Sequence, residues 1–268
     1  MPQSDILHKI KPIAQAGLIS KGIVYCLIGV LAFMAAFEIA GTTNSDAGKH
    51  GALRIIEEQT GGKIFLALVT AGLFCYCVWR ALQAFADTEH KGTGAKGISS
   101  RLRYLFSCLI YLSVAMLAVK LLMHENTGDA NSYKEVVSTL MSKRFGEWII
   151  GLLAFIIAAV GVYQIYYALS EKYRKHVTLM SLPSEATATL LRAGKIGYLA
   201  RGVVWLIISW LLLQAAIHSN AAEAGDTVKA FQFIETSSYG SILLGIMGIG
   251  LVCYGAFNFI RARYESFR

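Results

Sequence analysis

Tyr76, Tyr163 and Tyr254 recur at offsets of 87 and 178 residues. A phenol both donates and accepts a hydrogen bond, so three of them at one depth of a helix bundle could line a cavity or a pore. The plainer reading is a buried ring whose hydroxyl bonds a neighbouring backbone or side chain. Lys21, Arg101 and Arg201 form a second set, at offsets of 80 and 180. Cations at the start of an apolar span mark the membrane interface and pair with lipid phosphate; the sharper alternative is a specific anion or headgroup site. Other chemistry is sparse. Cys26, Cys75, Cys77, Cys108 and Cys253 all fall in apolar stretches and read as reduced, small hydrophobic residues. Cys75 and Cys77 would point about 200° apart on a helix, which is no metal-binding pair. Glu38 and His218 stand at equivalent positions, with His124 near the end of the third span, so a shared metal site competes there with ordinary loop-end polarity. No catalytic or cofactor motif is found, and neither cofactor nor metal is expected.

The elements that carry these residues repeat. Residues 16–25, AGLISKGIVY, return as 196–205, IGYLARGVVW, and residues 73–84, LFCYCVWRALQA, return as 251–262, LVCYGAFNFIRA. A more divergent copy lies between. Hydrophobic residues make up 55% of the chain, and its mean hydropathy of +0.52 exceeds what a soluble domain of this size can bury. Candidate spans are 22–40, 64–86, 105–123, 148–169, 202–217 and 241–260, each near the roughly 20 residues needed to cross a bilayer as helix. Lipid cannot satisfy open strand edges, and these stretches lack the alternation of a barrel. The expected fold is an all-α membrane protein of six transmembrane helices. It consists of three tandem two-helix hairpins (4–90, 95–172 and 184–264) with pseudo-threefold symmetry, plus short amphipathic interfacial helices, in a single domain over 1–268.

Charge orients the chain. Of 25 Lys and Arg, 17 lie on the side of the termini, against six of the 17 acids, giving that side +11 and the other −3. The positive-inside bias places both termini in the cytoplasm, in a bacterial inner membrane, and the first 20 residues show no removable signal peptide. Topology and anionic lipid account for the basic balance better than nucleic acid does.

Within each unit, 4–16 and 184–196 open on a serine followed by an acid, an N-cap signature. They read as interfacial cytoplasmic helices that turn into the spans near Gly17 and Gly197. Stretches 51–59, 133–141 and 228–235 place Leu53 with Ile56, Val136 with Leu140, and Phe231 with Ile234 at helical spacing, which makes them outer caps. Ala67, Ala154 and Gly245 align as small positions for close helix approach, and Gly245, Gly248 and Gly255 form a packing stripe. Nine residues separate the small set from the tyrosines, or about 900°, which puts the two on opposite helix faces. The tyrosines therefore either converge on a central cavity or pack against the first span of their own hairpin. Arg80, with Tyr167 and Asn258 as its counterparts, is placed to snorkel, as is Lys120.

The segments Lys21-Gly22-Ile23-Val24-Tyr25 and Arg201-Gly202-Val203-Val204-Trp205, with Gly51-Ala52-Leu53 and Gly72, resemble a bacterial membrane family, the domain of unknown function family 1206. Its members carry three such two-helix repeats, and the resemblance covers almost the whole chain. The middle copy departs, with Leu102 in place of Gly22 and Gly202, and Leu105 in place of the aromatic. The resemblance implies a fold and a membrane, with no reaction to carry over.

The repeated features concern packing and interfaces. The first functional reading is thus a non-enzymatic membrane scaffold that binds lipid, a protein partner or a further copy of itself. The alternative is a small-solute or ion channel or transporter with its path along the pseudo-threefold axis. Against that path, the spans hold few polar residues, chiefly Tyr25, Ser107, Tyr111, Gln164, Ser209 and Asn258. An enzyme ranks third, because clustered intramembrane His, Asp or Glu is missing from the spans.

Overall fold

The computed structural model describes residues 3–44, 46–86, 92, 94–123, 131–174 and 184–264. Among these, six helices are long and apolar enough to cross a membrane. They are α1 (Gln3–Ala36), α3 (Gly62–Phe85), α4 (Ala95–Leu122), α6 (Gly146–Leu169), α7 (Ser184–Ile217) and α9 (Gly240–Tyr264). Three short helices, α2 (Lys49–Glu58), α5 (Asn131–Met141) and α8 (Thr227–Glu235), each lie between the two spans of one copy. The chain is a multi-pass membrane protein, because apolar helices of this length bury their backbone polar groups internally and offer lipid only side chains.

The spans follow a ring order. Successive copies pack through α3 on α4, α6 on α7 and, most extensively, α9 on α1. Within copies, α1 packs on α3 and α7 on α9. The two spans of the middle copy, α4 and α6, do not pack along one another among the described residues. The middle hairpin is thus splayed, and the ring has a seam.

Glycine sets the closest approaches. At the α1–α9 crossing Gly29 and Gly248 face each other so closely that a Cβ on either would lie 2.6 Å from the other's carbonyl oxygen. Gly62, Gly146 and Gly240 each begin a span tucked beneath a carbonyl at the end of the preceding short helix: Ile56, Leu140 and Glu235. The short helices cap the bundle at the end away from the termini. Leu53, Ile56, Phe231 and Ile234 are buried. In α5 Val137 is buried and Val136 exposed, while Leu140 packs half-buried against the core, so of the expected pair Leu140 holds and Val136 yields to its neighbour. Asp226 caps α8 by accepting from the Val228 and Lys229 amides at 3.0 and 3.3 Å.

Two local expectations are corrected. The segments 4–16 and 184–196 are no separate interfacial helices, since α1 and α7 each run unbroken for 34 residues with Pro12 accommodated inside α1. No helix break falls at Gly17 or Gly197; they admit the Tyr76 and Tyr254 backbones instead, for a Cβ on either would lie 2.7 Å from the tyrosine Cα. Of the small set, Ala154 and Gly245 are buried whereas Ala67 is exposed. The side chains of Ser4, Asp5 and Glu185 lie outside the description, as do 175–183 of the linker.

Candidate functional site

Lys21 points into the bundle. Its side chain is on the inward face of α1 because Gly22 beside it abuts Gly255 of α9 and Gly17, one turn earlier, abuts Tyr76 of α3. The residue is 3% exposed, and its ammonium stands 5.1, 5.2 and 5.1 Å from the ring centroids of Tyr76, Tyr111 and Tyr254, contributed by α3, α4 and α9. It also donates to the Tyr76 hydroxyl at 3.3 Å. A cation against ring faces gains about 0.5 to 2 kcal/mol per contact, more as water is excluded.

Two arginines complete this layer. Arg80 donates Nε to the Tyr76 hydroxyl at 2.8 Å and an amino group to Gln83 at 2.7 Å. Arg201 of α7 donates to the Tyr254 hydroxyl and lies 5.2 and 4.9 Å from the rings of Tyr25 and Tyr254. Tyr111 donates to Tyr25 at 3.3 Å, and edge-on contacts run from Tyr25 to Tyr254 and on to Tyr198 at 4.9 and 5.2 Å. Among the described residues, the hydrogen bonds of Arg80 and Arg201 go to tyrosine and glutamine, not to carboxylates. At 1.5 Å per residue Lys21, Arg80 and Arg201 sit roughly 22 to 27 Å from the capped ends of their helices, in the half of the membrane next to the termini.

Some buried polar atoms of the spans stay unmatched. Arg201 Nε, Gln164 Oε1 and Asn258 Oδ1 are buried without a hydrogen-bond partner among the described residues, although the Asn258 amide donates to the Tyr254 carbonyl. Such atoms cost about 1 to 3 kcal/mol each if left bare.

The structure brings together Lys21, Arg201, Tyr76 and Tyr254 from the sequence-derived sets. Tyr76 and Tyr254 are 0% and 1% exposed, and each packs its backbone on the first span of its own copy while its hydroxyl reaches the central layer. Of the two orientations weighed from sequence, Tyr76 and Tyr254 take the one that packs against the first span of their own hairpin. Tyr163 is 37% exposed, with Arg103 at 4.6 Å over its ring. Its counterpart of Gly17 is Gly97 of α4, a helix that α6 does not pack along. Arg101 lies half-buried on α4 with a buried Nε, apart from the tyrosine contacts of Lys21 and Arg201. Arg80 was expected to snorkel; the Tyr76 hydroxyl holds it inward instead.

From sequence, Arg103 is only one of the 17 Lys and Arg on the side of the termini. The signal was available, for its equivalents at offsets of 80 and 100 are Ile23 and Val203, so a charge replaces an apolar residue only in the middle copy. Tyr111 and Tyr198 have no aromatic counterparts in the other copies, and only the fold assembles them.

The remaining candidates fall elsewhere. All five cysteines are free, and the Cys77 and Cys108 thiols each reach the other's carbonyl across α3 and α4, at 3.6 and 3.3 Å. His218 pairs with Glu223 at 2.7 Å at the capped end, and no group of three His, Cys, Asp or Glu gathers among the described residues; His124 lies outside them. Beyond α6, Tyr173 donates to the Leu191 carbonyl at 2.9 Å, and burial with Glu171 nearby pushes its phenol above the ordinary range.

The family described as Domain of Unknown Function (DUF1206) matches the chain three times, over residues 16–87, 102–171 and 196–265, and the chain belongs to this family. The matched segments coincide with the three pairs of spans. The chain is 25% identical over 257 residues to "Uncharacterized protein YxxB" of Bacillus subtilis (strain 168), an alignment covering 96% of this chain and 91% of that protein. No solved structure matches significantly.

Proposed function

We propose that this protein is a non-enzymatic scaffold of the bacterial cytoplasmic membrane, with both termini cytoplasmic, and that it binds anionic lipid on its cytoplasmic side. The observation that carries the reading is the inward layer of Lys21, Arg80 and Arg201, in which tyrosine rings and hydroxyls hold the two arginines where carboxylates would otherwise neutralise them. Such a layer keeps its positive field, which attracts anionic headgroups. The excess of 17 of 25 Lys and Arg on the same side supports the orientation. Tyrosine, lysine and arginine, without clustered carboxylates or imidazoles among the described residues, support a binding role over catalysis.

The test is native mass spectrometry of the full chain from nanodiscs of equal phosphatidylglycerol and phosphatidylcholine. Preferential retention of phosphatidylglycerol that falls about tenfold in Arg201→Gln is expected, as a charge-assisted hydrogen bond predicts. Equal retention of the two lipids overturns the reading. The unmatched polar atoms Arg201 Nε, Gln164 Oε1 and Asn258 Oδ1 favour a second one, a hydrated path along the axis. Anion flux into liposomes, abolished by Arg201→Gln, would favour that path over a scaffold.

A further inference from the structure

We infer that an anionic phospholipid seats one acyl chain in the seam between α4 and α6 and lays its phosphate on the guanidinium of Arg103; this rests on the lipid-binding reading above. The seam is an interface present in the first and last copies and missing from the middle one. In copies one and three the second span's tyrosine packs its backbone onto a glycine of the first span, Gly17 or Gly197, and is fully buried. In the middle copy Tyr163 is 37% exposed and Ala159, the counterpart of the buried Gly72 and Gly250, is exposed. Apolar helix surface is therefore open at the place where its two equivalents are covered by protein.

Arg103 stands at the end of the seam nearest the termini, between the rings of Tyr163 on α6 and Tyr104 on its own helix, at 4.6 and 5.3 Å. A guanidinium held against ring faces leaves its N–H edges for an in-plane acceptor, and the fork matches two phosphate oxygens. Lys172 stands over Tyr166, 4.4 Å from its centroid, and Tyr166 follows Tyr163 by three positions and so shares its face of α6. The rim is thus basic and aromatic beside an apolar slot, the two demands of a phospholipid, and its charge selects an anionic one. The rim also joins the interior, because the Tyr104 ring lies within 5.2 Å of Arg80, which bonds Tyr76, which accepts from Lys21. Farther along α4, Phe106 meets Trp205 of α7 at 6.1 Å between centroids, giving the slot an aromatic floor.

The experiment compares phosphatidylglycerol and phosphatidylcholine, each with a diazirine at the acyl terminus, in nanodiscs holding the full chain. After illumination, phosphatidylglycerol should label peptides of α4 and α6 around Phe106 and Tyr163 several-fold more than phosphatidylcholine does. The excess should vanish in Arg103→Gln, fall partway in Arg103→Lys and persist in Arg54→Gln, which changes an exposed cation at the capped end. Should Arg103→Gln fail to fold, labelling of the unaltered chain decides alone. Equal labelling by the two lipids around the seam overturns the proposal. If phosphatidylglycerol is still retained preferentially and is lost in Arg201→Gln but not in Arg103→Gln, the seam fails and the broader reading stands. If the two lipids are retained equally, both fail.

Discussion

Gly248→Ala tests the packing scheme at its tightest point. A Cβ there would lie 2.6 Å from the Gly29 carbonyl oxygen, 2.8 Å from the Phe33 nitrogen and 3.2 Å from the Phe33 Cα. All three atoms are α1 backbone, so no rotamer change relieves the contact. Reaching ordinary contact near 3.4 Å requires the helices to separate by about 0.8 Å at that level, along the most extensive interface of the bundle. Overpacking of this kind costs about 1 to 3 kcal/mol. Alanine for glycine in a helix returns about 1 kcal/mol, and that gain is removed by comparison with Gly151→Ala, where a Cβ meets nothing within 4 Å. The difference between the two variants is then about 1 to 3 kcal/mol, or roughly 2 to 12 °C in Tm for a chain of this size. Differential scanning fluorimetry in one detergent measures it directly. Gly29→Ala should behave like Gly248→Ala, and the double variant should cost less than their sum, because one separation relieves both contacts. Equal melting of Gly248→Ala and Gly151→Ala would refute the crossing.

Ala154→Leu should cost about 1 to 3 kcal/mol, since Ser209 of α7 donates to the Ala154 carbonyl at 2.8 Å and the helices meet there; Ala67→Leu, at an exposed equivalent, should stay within about 0.5 kcal/mol. Tyr76→Phe and Tyr254→Phe should each cost about 1.5 to 3 kcal/mol by removing acceptors from buried cations, whereas Tyr163→Phe should melt like the unaltered chain. For topology, cysteines at Lys49 and Asp226 should react with an impermeant maleimide added outside intact cells and one at Lys195 only after lysis; the reverse pattern would invert the orientation.

Repetition and span length made the fold legible, because offsets of 80, 87, 178 and 180 residues survive in the sequence and a bilayer fixes how long an apolar helix must be. Rotation about each helix axis was not legible. A span that is apolar all round carries no amphipathic stripe to say which face turns inward, so Ala67, Ala154 and Gly245 aligned perfectly and yet Ala67 faces out. The same ambiguity hid the direction of Lys21: a lysine near a span end reads as snorkelling until the neighbouring Gly17 and Gly22 are seen to draw α3 and α9 against that face. Gly17 and Gly197 misled in another way. Glycine serves both to end a helix and to admit a neighbour, and sequence spacing does not separate the two uses.

The divergence of the middle copy and the position of the seam have one physical explanation. Copies one and three join their two spans through glycine against tyrosine backbone, and in each the cation of the first span reaches that same tyrosine's hydroxyl: Lys21 to Tyr76, Arg201 to Tyr254. Helix contact and cation placement are therefore a single device in which close approach brings the hydroxyl within reach. In the middle copy the spans stand apart, and an arginine two positions after the aligned Arg101 crosses the gap, reaching the face of Tyr163 instead of its hydroxyl. A longer, forked side chain bridges a separation that the glycine contact would have closed, and ring-face contact leaves its hydrogen-bonding edges unspent among the described residues. An exact threefold bundle would bury all three tyrosines and present no such edge. The break in symmetry is what turns one of three interior cation–tyrosine pairs toward the membrane, where a ligand from the bilayer can meet it.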